Sequence, residues 1–167
     1  DLFYTLGIRA TGIDKIIANS EVTKTTFYRH FSSKNILIIE FLRYRHQLWM
    51  TWFKECIDRT PDISDAMSMA MEQWFTQPNF RGCAFVNSLA EISAELPEAS
   101  TLIKEHKRDV AQVIEQALVN VDENHRVEAA QAITMVMEGA IIRAQSGEDV
   151  KQTTVLLNKT VKGLMTA

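Results

Sequence analysis

The sequence is poor in residues that interrupt helices, with three prolines and six glycines in 167 residues. Long helices can therefore run unbroken, because proline and glycine are the main helix breakers. Sustained alternation of apolar and polar residues between turn signals is also scarce, which argues against strands. We therefore predict an all-α fold.

The chain lacks an apolar run of transmembrane length and a signal-peptide pattern, so we predict a cytoplasmic protein with no membrane partner.

The two cysteines of the chain, Cys56 and Cys83, are too few to suggest a scaffold held together by disulfides. Two free thiols are the expectation in a reducing compartment. Residues 1–4 have the pattern of a helix end, so we expect residues of the same helix to precede them.

The sequence also lacks the common catalytic motifs, namely H-E-x-x-H, the P-loop and G-x-S-x-G, and it has no metal-ligand spacing of cysteine and histidine. We therefore predict no enzyme activity, no metal site and no cofactor. His106 and His125 stand alone among charged residues and are expected to be solvated. Because absent motifs do not exclude catalysis, a helical ligand carrier or enzyme stays open as an alternative.

Charge is unevenly spread along the chain, whose net charge is −3. Residues 1–47 contain seven Lys/Arg and four Asp/Glu, whereas the remaining residues contain 11 and 17. A basic end on an acidic chain favours an anionic partner at that end.

Capping residues and helix breakers predict where the helices begin and end. The N-terminal boundaries are Gly7 at the end of the first helix, Thr11 and Thr23 as caps of the next two, and Ser32 or Ser33 as cap of a long helix to about Arg59. Further helices are predicted from Asp62 or Ser64 to Phe75 and at 83–94, 98–121, 125–146 and 149–166, with a loop at 77–82 and a turn at 122–124.

The second and third helices form a helix-turn-helix pattern around a break at residues 20–23. Phe27 and Phe31 are four residues apart, so they share the face that packs inward. The outward face is left to Lys24, Thr25, Tyr28 and Arg29. A short helix with such a face fits the major groove of B-DNA, where arginine can bind guanine in a bidentate manner.

The run FYRHFSSK at 27–34, together with Val22-Thr23-Lys24, resembles the TetR family of transcriptional regulators. The resemblance implies a helix-turn-helix DNA-binding domain at 1–45, joined by a long helix to an effector-binding and dimerisation domain at 46–167. In that family the matching positions contact double-stranded operator DNA; they are Thr11, Gly12, Thr23, Lys24, Thr25, Thr26, Tyr28, Arg29, His30 and Lys34.

Two positions depart from the family pattern. Glu21 stands in the turn where family members usually have glycine, and Ile17 stands where they have a small residue. Glu21 must therefore adopt a turn conformation that glycine takes freely. We expect a slightly altered turn and an intact motif.

The C-terminal domain contains many aromatic residues and methionines. Each of them taken alone is expected to be a core residue, but together they can line an adaptable apolar pocket. The run RGCAFVNSLAE at 81–91 resembles a segment that borders the effector pocket in one TetR subgroup. Asn87 and Glu91, four residues apart, could bind a polar ligand group, bond each other or cap a neighbouring helix. The predicted pocket residues are Trp49, Trp52, Phe53, Met71, Trp74, Phe75, Cys83, Asn87 and Glu91.

Cys83 supports an alternative in which the protein is a thiol-based sensor of oxidants or electrophiles. It lies near a predicted helix N-terminus and near Arg81, and both features favour the reactive thiolate. A buried, inert cysteine is the competing interpretation. For Cys56 we predict a packing role.

The last two predicted helices have more apolar surface than one domain needs to cover. The predicted dimer contacts are Ala129, Ile133, Val136, Ala140, Ala144, Leu157, Val161 and Leu164, with Ala132, Met135 and Gly139 on a neighbouring side. The resemblance therefore implies a homodimeric repressor of palindromic operators that a small-molecule effector releases from DNA.

Overall fold

The computed structural model describes residues 1–166, and within them the chain forms α-helices joined by turns, with no strand. The all-α prediction is confirmed. The helices are α1 Leu2–Leu6, α2 Ile13–Ser20, α3 Lys24–His30, α4 Lys34–Asp58, α5 Ile63–Phe75, α6 Ala84–Ile92, α7 Pro97–Ala117, α8 Glu123–Gln145 and α9 Val150–Leu164.

Three helix N-termini are capped by residues that the sequence indicated. The Thr23 side chain accepts a hydrogen bond from the backbone N–H of Thr26 at the start of α3. The Ser33 hydroxyl accepts from the N–H of Ile36 at 3.2 Å. The Asp62 carboxylate accepts from two N–H groups in the first turn of α5. Each contact satisfies an N–H that has no partner inside its own helix.

Two predicted helix starts are wrong. Gly12, not Thr11, is the N-cap of α2, and no side chain caps that helix. The N-terminus of α8 begins at Glu123, inside the predicted turn, because the Asp122 carboxylate caps it by accepting from Asn124.

The chain divides into two compact units, and the division is discontinuous in sequence. The first unit combines residues 1–47 with 83–106, so it contains α1 to α3, the start of α4, α6 and the start of α7. The second unit combines 48–82 with the residues from 107 onward. The functional domains predicted at 1–45 and 46–167 stay a prediction; in the structure, residues 83–106 group with the N-terminal helices.

His106 lies in the interior of the first unit, contrary to the predicted solvation. Its ring is 3% exposed, stacks on Phe85 with centroids 3.6 Å apart, and places Nδ1 3.1 Å from Nδ1 of His46. His46 is 60 positions away, so the charged neighbours of His106 in sequence gave no sign of this packing. His125 is solvated as predicted, with a side chain 75% exposed.

The second unit is built on the contacts of α5 and α8 with α9. Buried apolar side chains fill it, among them Met67, Met71, Ile133, Leu157 and Val161. Polar contacts fix the position of α9: Asp65 accepts from Asn158 at 2.7 Å and from Lys162 at 3.0 Å. The hydrogen bond from Asn158, followed by that from Lys162, lowers the pKa of Asp65.

Glu21 adopts the left-handed conformation expected from its place in the turn, with φ 55° and ψ 23°. It has the sole positive φ among the non-glycine residues of the described chain. A left-handed backbone conformation destabilises an L-residue by about 1–2 kcal/mol. Glycine avoids this strain but loses about 0.5–1 kcal/mol more in backbone entropy on folding than alanine does.

We therefore expect Glu21→Gly to raise the free energy of unfolding by about 0.5–1 kcal/mol, measured by urea or thermal unfolding. Glu21→Ala is the control, because it removes the same charge without relieving the left-handed strain. Equal stabilisation by both variants would show that the charge, not the backbone conformation, is responsible.

Candidate nucleic-acid interface

Helix α3 is held by contacts at both of its ends and on one face. Thr23 caps its N-terminus, and the backbone N–H of Phe31 donates to the Phe27 carbonyl at its C-terminus. The Phe27 side chain is 4% exposed, and its ring centroid lies 5.7 Å from that of Phe31. The predicted inward face of the helix is therefore confirmed.

The opposite face of α3 presents polar groups to solvent. Thr25, Tyr28 and Arg29 are all exposed, and their spacing of three and four residues places them side by side. Lys24 is exposed as well, and its ammonium lies 3.5 Å from the Asp14 carboxylate of α2. An exposed pair at this distance contributes little to stability, so Lys24 stays available to a phosphate.

The next predicted DNA contacts lie at the ends of helices α2 and α3. Thr26 bonds the capping hydroxyl of Thr23 at 3.0 Å, so both hydroxyls help to define where α3 begins. Gly12 is exposed, and a Cβ placed on it would meet no atom within 4 Å. His30 is exposed in the last turn of α3.

Thr11 and Lys34 hold the turn between α1 and α2. Thr11 is fully buried, and its hydroxyl donates to the Gly7 carbonyl at 2.7 Å. The Lys34 ammonium donates to the Ile8 carbonyl at 2.6 Å. The Thr11 side chain is therefore not available to DNA, whereas Lys34 keeps further N–H donors, and its phosphate contact stays a prediction.

A third clamp on this turn comes from Arg9, which the sequence did not single out. The Arg9 backbone N–H donates to the Glu91 carboxylate at 2.8 Å, and its Nε donates to the Glu91 carbonyl at 2.7 Å. Its guanidinium also pairs with Glu95 at 2.6 Å. The partners are more than 80 positions apart, so no local pattern could reveal them.

The predicted effector-pocket residues divide between the two units. Cys83, Asn87 and Glu91 belong to the first unit, and the other six belong to the second. Within the second unit, Phe53, Met71 and Phe75 are buried core residues, whereas the three tryptophans are half-buried. The Glu91 carboxylate accepts from the backbone N–H of Arg9, and Asn87 is half-buried on α6.

Both cysteines are buried thiols that form no disulfide. Cys83 is the N-cap residue of α6 but is only 6% exposed, which limits access of a reagent to its sulfur. Burial raises the pKa of the Cys56 thiol, as fits a packing role. The thiol-sensor alternative therefore rests on Cys83 alone.

Most predicted dimer-contact residues lie inside the second unit. Ala129, Ile133, Ala140, Leu157 and Val161 are buried there, and Val136, Ala144 and Leu164 are half-buried. The apolar residues that α8 exposes are instead Val127, Met135, Gly139 and Ile142. Of these, Met135 and Gly139 belong to the neighbouring side that the sequence analysis named together with Ala132. Both faces of α8 are apolar, so its pattern could not show which one turns outward.

Two absences concern residues 1–166. No helix in this range is long and apolar enough to cross a membrane. Nor does any group of three or more His, Cys, Asp or Glu side chains in the range have a geometry that could hold a metal ion.

Valine substitutions at Thr11 and Thr25 test the assigned roles. Thr11→Val leaves the partly buried Gly7 carbonyl without its hydroxyl donor, so we expect a loss of about 1–3 kcal/mol in the free energy of unfolding. Thr25→Val changes an exposed side chain, so its stability should stay within about 0.5 kcal/mol of the parent. Urea unfolding of both variants measures this difference, and equal stability would contradict the buried role of Thr11.

Comparisons with known proteins agree with this architecture. Residues 1–41 match the family model described as bacterial regulatory proteins, tetR family. A TetR-family transcriptional regulator from Streptomyces coelicolor shares 27% identity, with a TM-score of 0.87 over 99% of this chain and 88% of that one. Comparison with the curated proteins gave no match.

Two further solved structures share the fold. The reduced form of Escherichia coli NemR has 23% identity and a TM-score of 0.82, covering 98% of this chain and 91% of its own. A cysteine mutant of the TetR-family regulator CifR, solved with 26-base-pair operator DNA, has 15% identity and a TM-score of 0.82, covering 97% and 91%.

The family match covers the helix-turn-helix, and the likeness to solved regulators covers nearly the whole chain. The proteins that match are transcriptional regulators and not enzymes. The chain therefore has the fold of TetR-family transcriptional regulators, and its residues 1–41 match the model of that family.

Proposed function

We propose that the protein is a homodimeric repressor that binds a palindromic operator and leaves it when a small-molecule effector binds. The observation that carries the proposal is the exposed face of α3, with Thr25, Tyr28 and Arg29 side by side on a helix fixed at both ends. The operator complex of CifR, whose fold is the same, supports DNA as the partner. The predicted domains at 1–45 and 46–167 and the cytoplasmic location belong to this proposal.

The dimer is proposed to form through the outer faces of α8 and α9. Met135 is 74% exposed and Ile142 47% exposed on α8, and Val155 and Leu156 are about half exposed on α9. Exposed apolar side chains on two helices that contact each other favour burial against an identical surface related by a twofold axis. A twofold dimer also supplies two recognition helices for half-sites about 34–36 Å apart.

Release requires that the effector prefer the form of the protein with low DNA affinity. A preference of a few kcal/mol is sufficient to shift such an equilibrium. The half-buried tryptophans of the second unit are the proposed contacts. The thiol-sensor alternative predicts that Cys83→Ser binds DNA normally and ignores peroxide, whereas the effector mechanism does not involve this thiol.

Arg29→Ala tests DNA recognition by α3. Operator sequences would first be selected from random double-stranded DNA at fixed salt, and binding then measured by titration. We expect a loss of about 1–3 kcal/mol, roughly 5- to 150-fold in affinity, with the oligomeric state unchanged.

Lys54→Ala is the matched control for this loss, because it also removes one exposed positive charge but lies on α4 in the second unit. Its operator affinity should stay close to that of the parent. Equal affinity of the Arg29 variant and the parent, or no enriched sequence from an intact dimer, would contradict DNA recognition by this face.

Met135→Glu tests the dimer surface. A carboxylate at the centre of an apolar interface is costly to bury, so we expect the free energy of dissociation to fall by about 3 kcal/mol or more, which raises the dissociation constant roughly 150-fold. Met69→Glu is the control, since Met69 is also exposed, at 63%, but lies on α5. Analytical ultracentrifugation measures both, and a stable dimer of the Met135 variant would place the interface elsewhere.

A further inference from the structure

All three tryptophans of the chain lie together in the second unit. The ring centroids of Trp49 and Trp52 are 5.9 Å apart, and each lies 6.1 Å from that of Trp74. The three indoles thus form a nearly equilateral triangle, with planes inclined to one another by 59–67°. We call this group the tryptophan triad.

Phenylalanines support the triad from the side of the core. Phe53, fully buried, stacks on Trp49 with centroids 4.5 Å apart. Phe75, also buried, lies 5.9 Å from Trp74, and Phe80 meets Trp74 edge-on at 5.3 Å. Buried neighbours restrict the rotamers of the indoles, so the triad presents a preformed aromatic surface.

The triad also offers hydrogen-bond donors. Within residues 1–166, the Nε1–H groups of Trp52 and Trp74 donate to no protein acceptor, and both side chains are half-buried. An indole N–H usually finds an acceptor when it is removed from water. A ligand that covers these rings must therefore supply an acceptor at its own edge.

The electrostatics of the triad favour a ligand with an electron-poor ring. Indole faces carry the negative end of a strong ring quadrupole, which attracts cations and electron-poor rings. Glu55, exposed and three residues after Trp52, lies on the same side of α4. The second unit as a whole has 13 carboxylates and 10 basic residues, so its net charge also favours a cation.

We propose that the tryptophan triad is a binding site for a planar, electron-poor aromatic compound of the pyridinium type that carries a hydrogen-bond acceptor. The ring would stack on the solvent-accessible part of the half-buried indoles, and its acceptor would bond the Nε1–H of Trp52 or Trp74. The assignment of this ligand class to the effector rests on the function proposed above.

Intrinsic fluorescence tests the site directly, because every tryptophan belongs to it. The parent chain, without DNA, would be titrated with 1-methylnicotinamide, a pyridinium cation with a carbonyl acceptor. Neutral nicotinamide and benzamide are the matched controls. We expect saturable quenching by the cation and at least tenfold weaker binding of both neutral compounds.

Variants separate stacking from hydrogen bonding. Trp74→Leu should weaken binding of the cation at least tenfold. Trp74→Phe keeps a ring but loses the N–H, so its affinity for the cation should lie between that of Trp74→Leu and that of the parent. Tyr44→Leu, which removes an aromatic ring 60% exposed in the first unit, should leave binding unchanged. Circular dichroism and thermal unfolding verify that each variant is folded.

Collisional quenching does not saturate with concentration. Non-saturating quenching of equal strength by 1-methylnicotinamide, nicotinamide and benzamide would overturn the proposed site. Operator titration of the parent, with and without 1-methylnicotinamide, tests the effector assignment. An unchanged operator affinity at saturating cation would overturn that assignment. Absence of operator binding by the ligand-free dimer would contradict the proposed function instead, since the fluorescence titration contains no DNA.

Discussion

Helix α3 has seven residues, about half the length at which an isolated helix becomes stable in water. Its position must therefore be imposed by contacts outside the helix. The Thr23 cap satisfies an N–H at its start, the Phe27 side chain is buried beneath it, and Glu21 accepts a strained backbone in the preceding turn. Because these residues supply the stability, Thr25, Tyr28 and Arg29 need not pack and can be used for recognition.

The same constraint explains why α6 belongs to the first unit. The turn between α1 and α2 is held on three sides by contacts to Thr11, Lys34 and Glu91, and only Thr11 is close in sequence. A Cβ on Gly7, whose φ is +89°, would lie 3.1 Å from the Glu91 carboxylate, so glycine also permits this close approach. The helix-turn-helix therefore depends on α6 for part of its support, although the two are far apart along the chain.

Local signals in the sequence predicted the fold well, whereas contacts between distant residues escaped prediction. The caps at Thr23 and Asp62 and the left-handed Glu21 each follow from backbone hydrogen bonding or sterics within a few residues. Thr11 was misassigned because its hydroxyl donates to the Gly7 carbonyl at the end of α1. The local sequence is the same whether this hydroxyl caps the following helix or bonds the preceding one. His106 was misassigned because its aromatic partners lie on other helices.

Two apolar surfaces of the second unit remain exposed, and their chemistry separates their uses. The stripe of α8 around Met135 and Ile142 has aliphatic side chains and an open glycine, so an identical aliphatic surface can cover these side chains at no cost in unpaired donors of their own. The tryptophan triad differs, because any apolar protein surface placed over it would bury the N–H groups of Trp52 and Trp74 without a partner. A small ligand with an acceptor at its edge avoids that cost, which is why the stripe suits a second copy of the chain and the triad suits an effector.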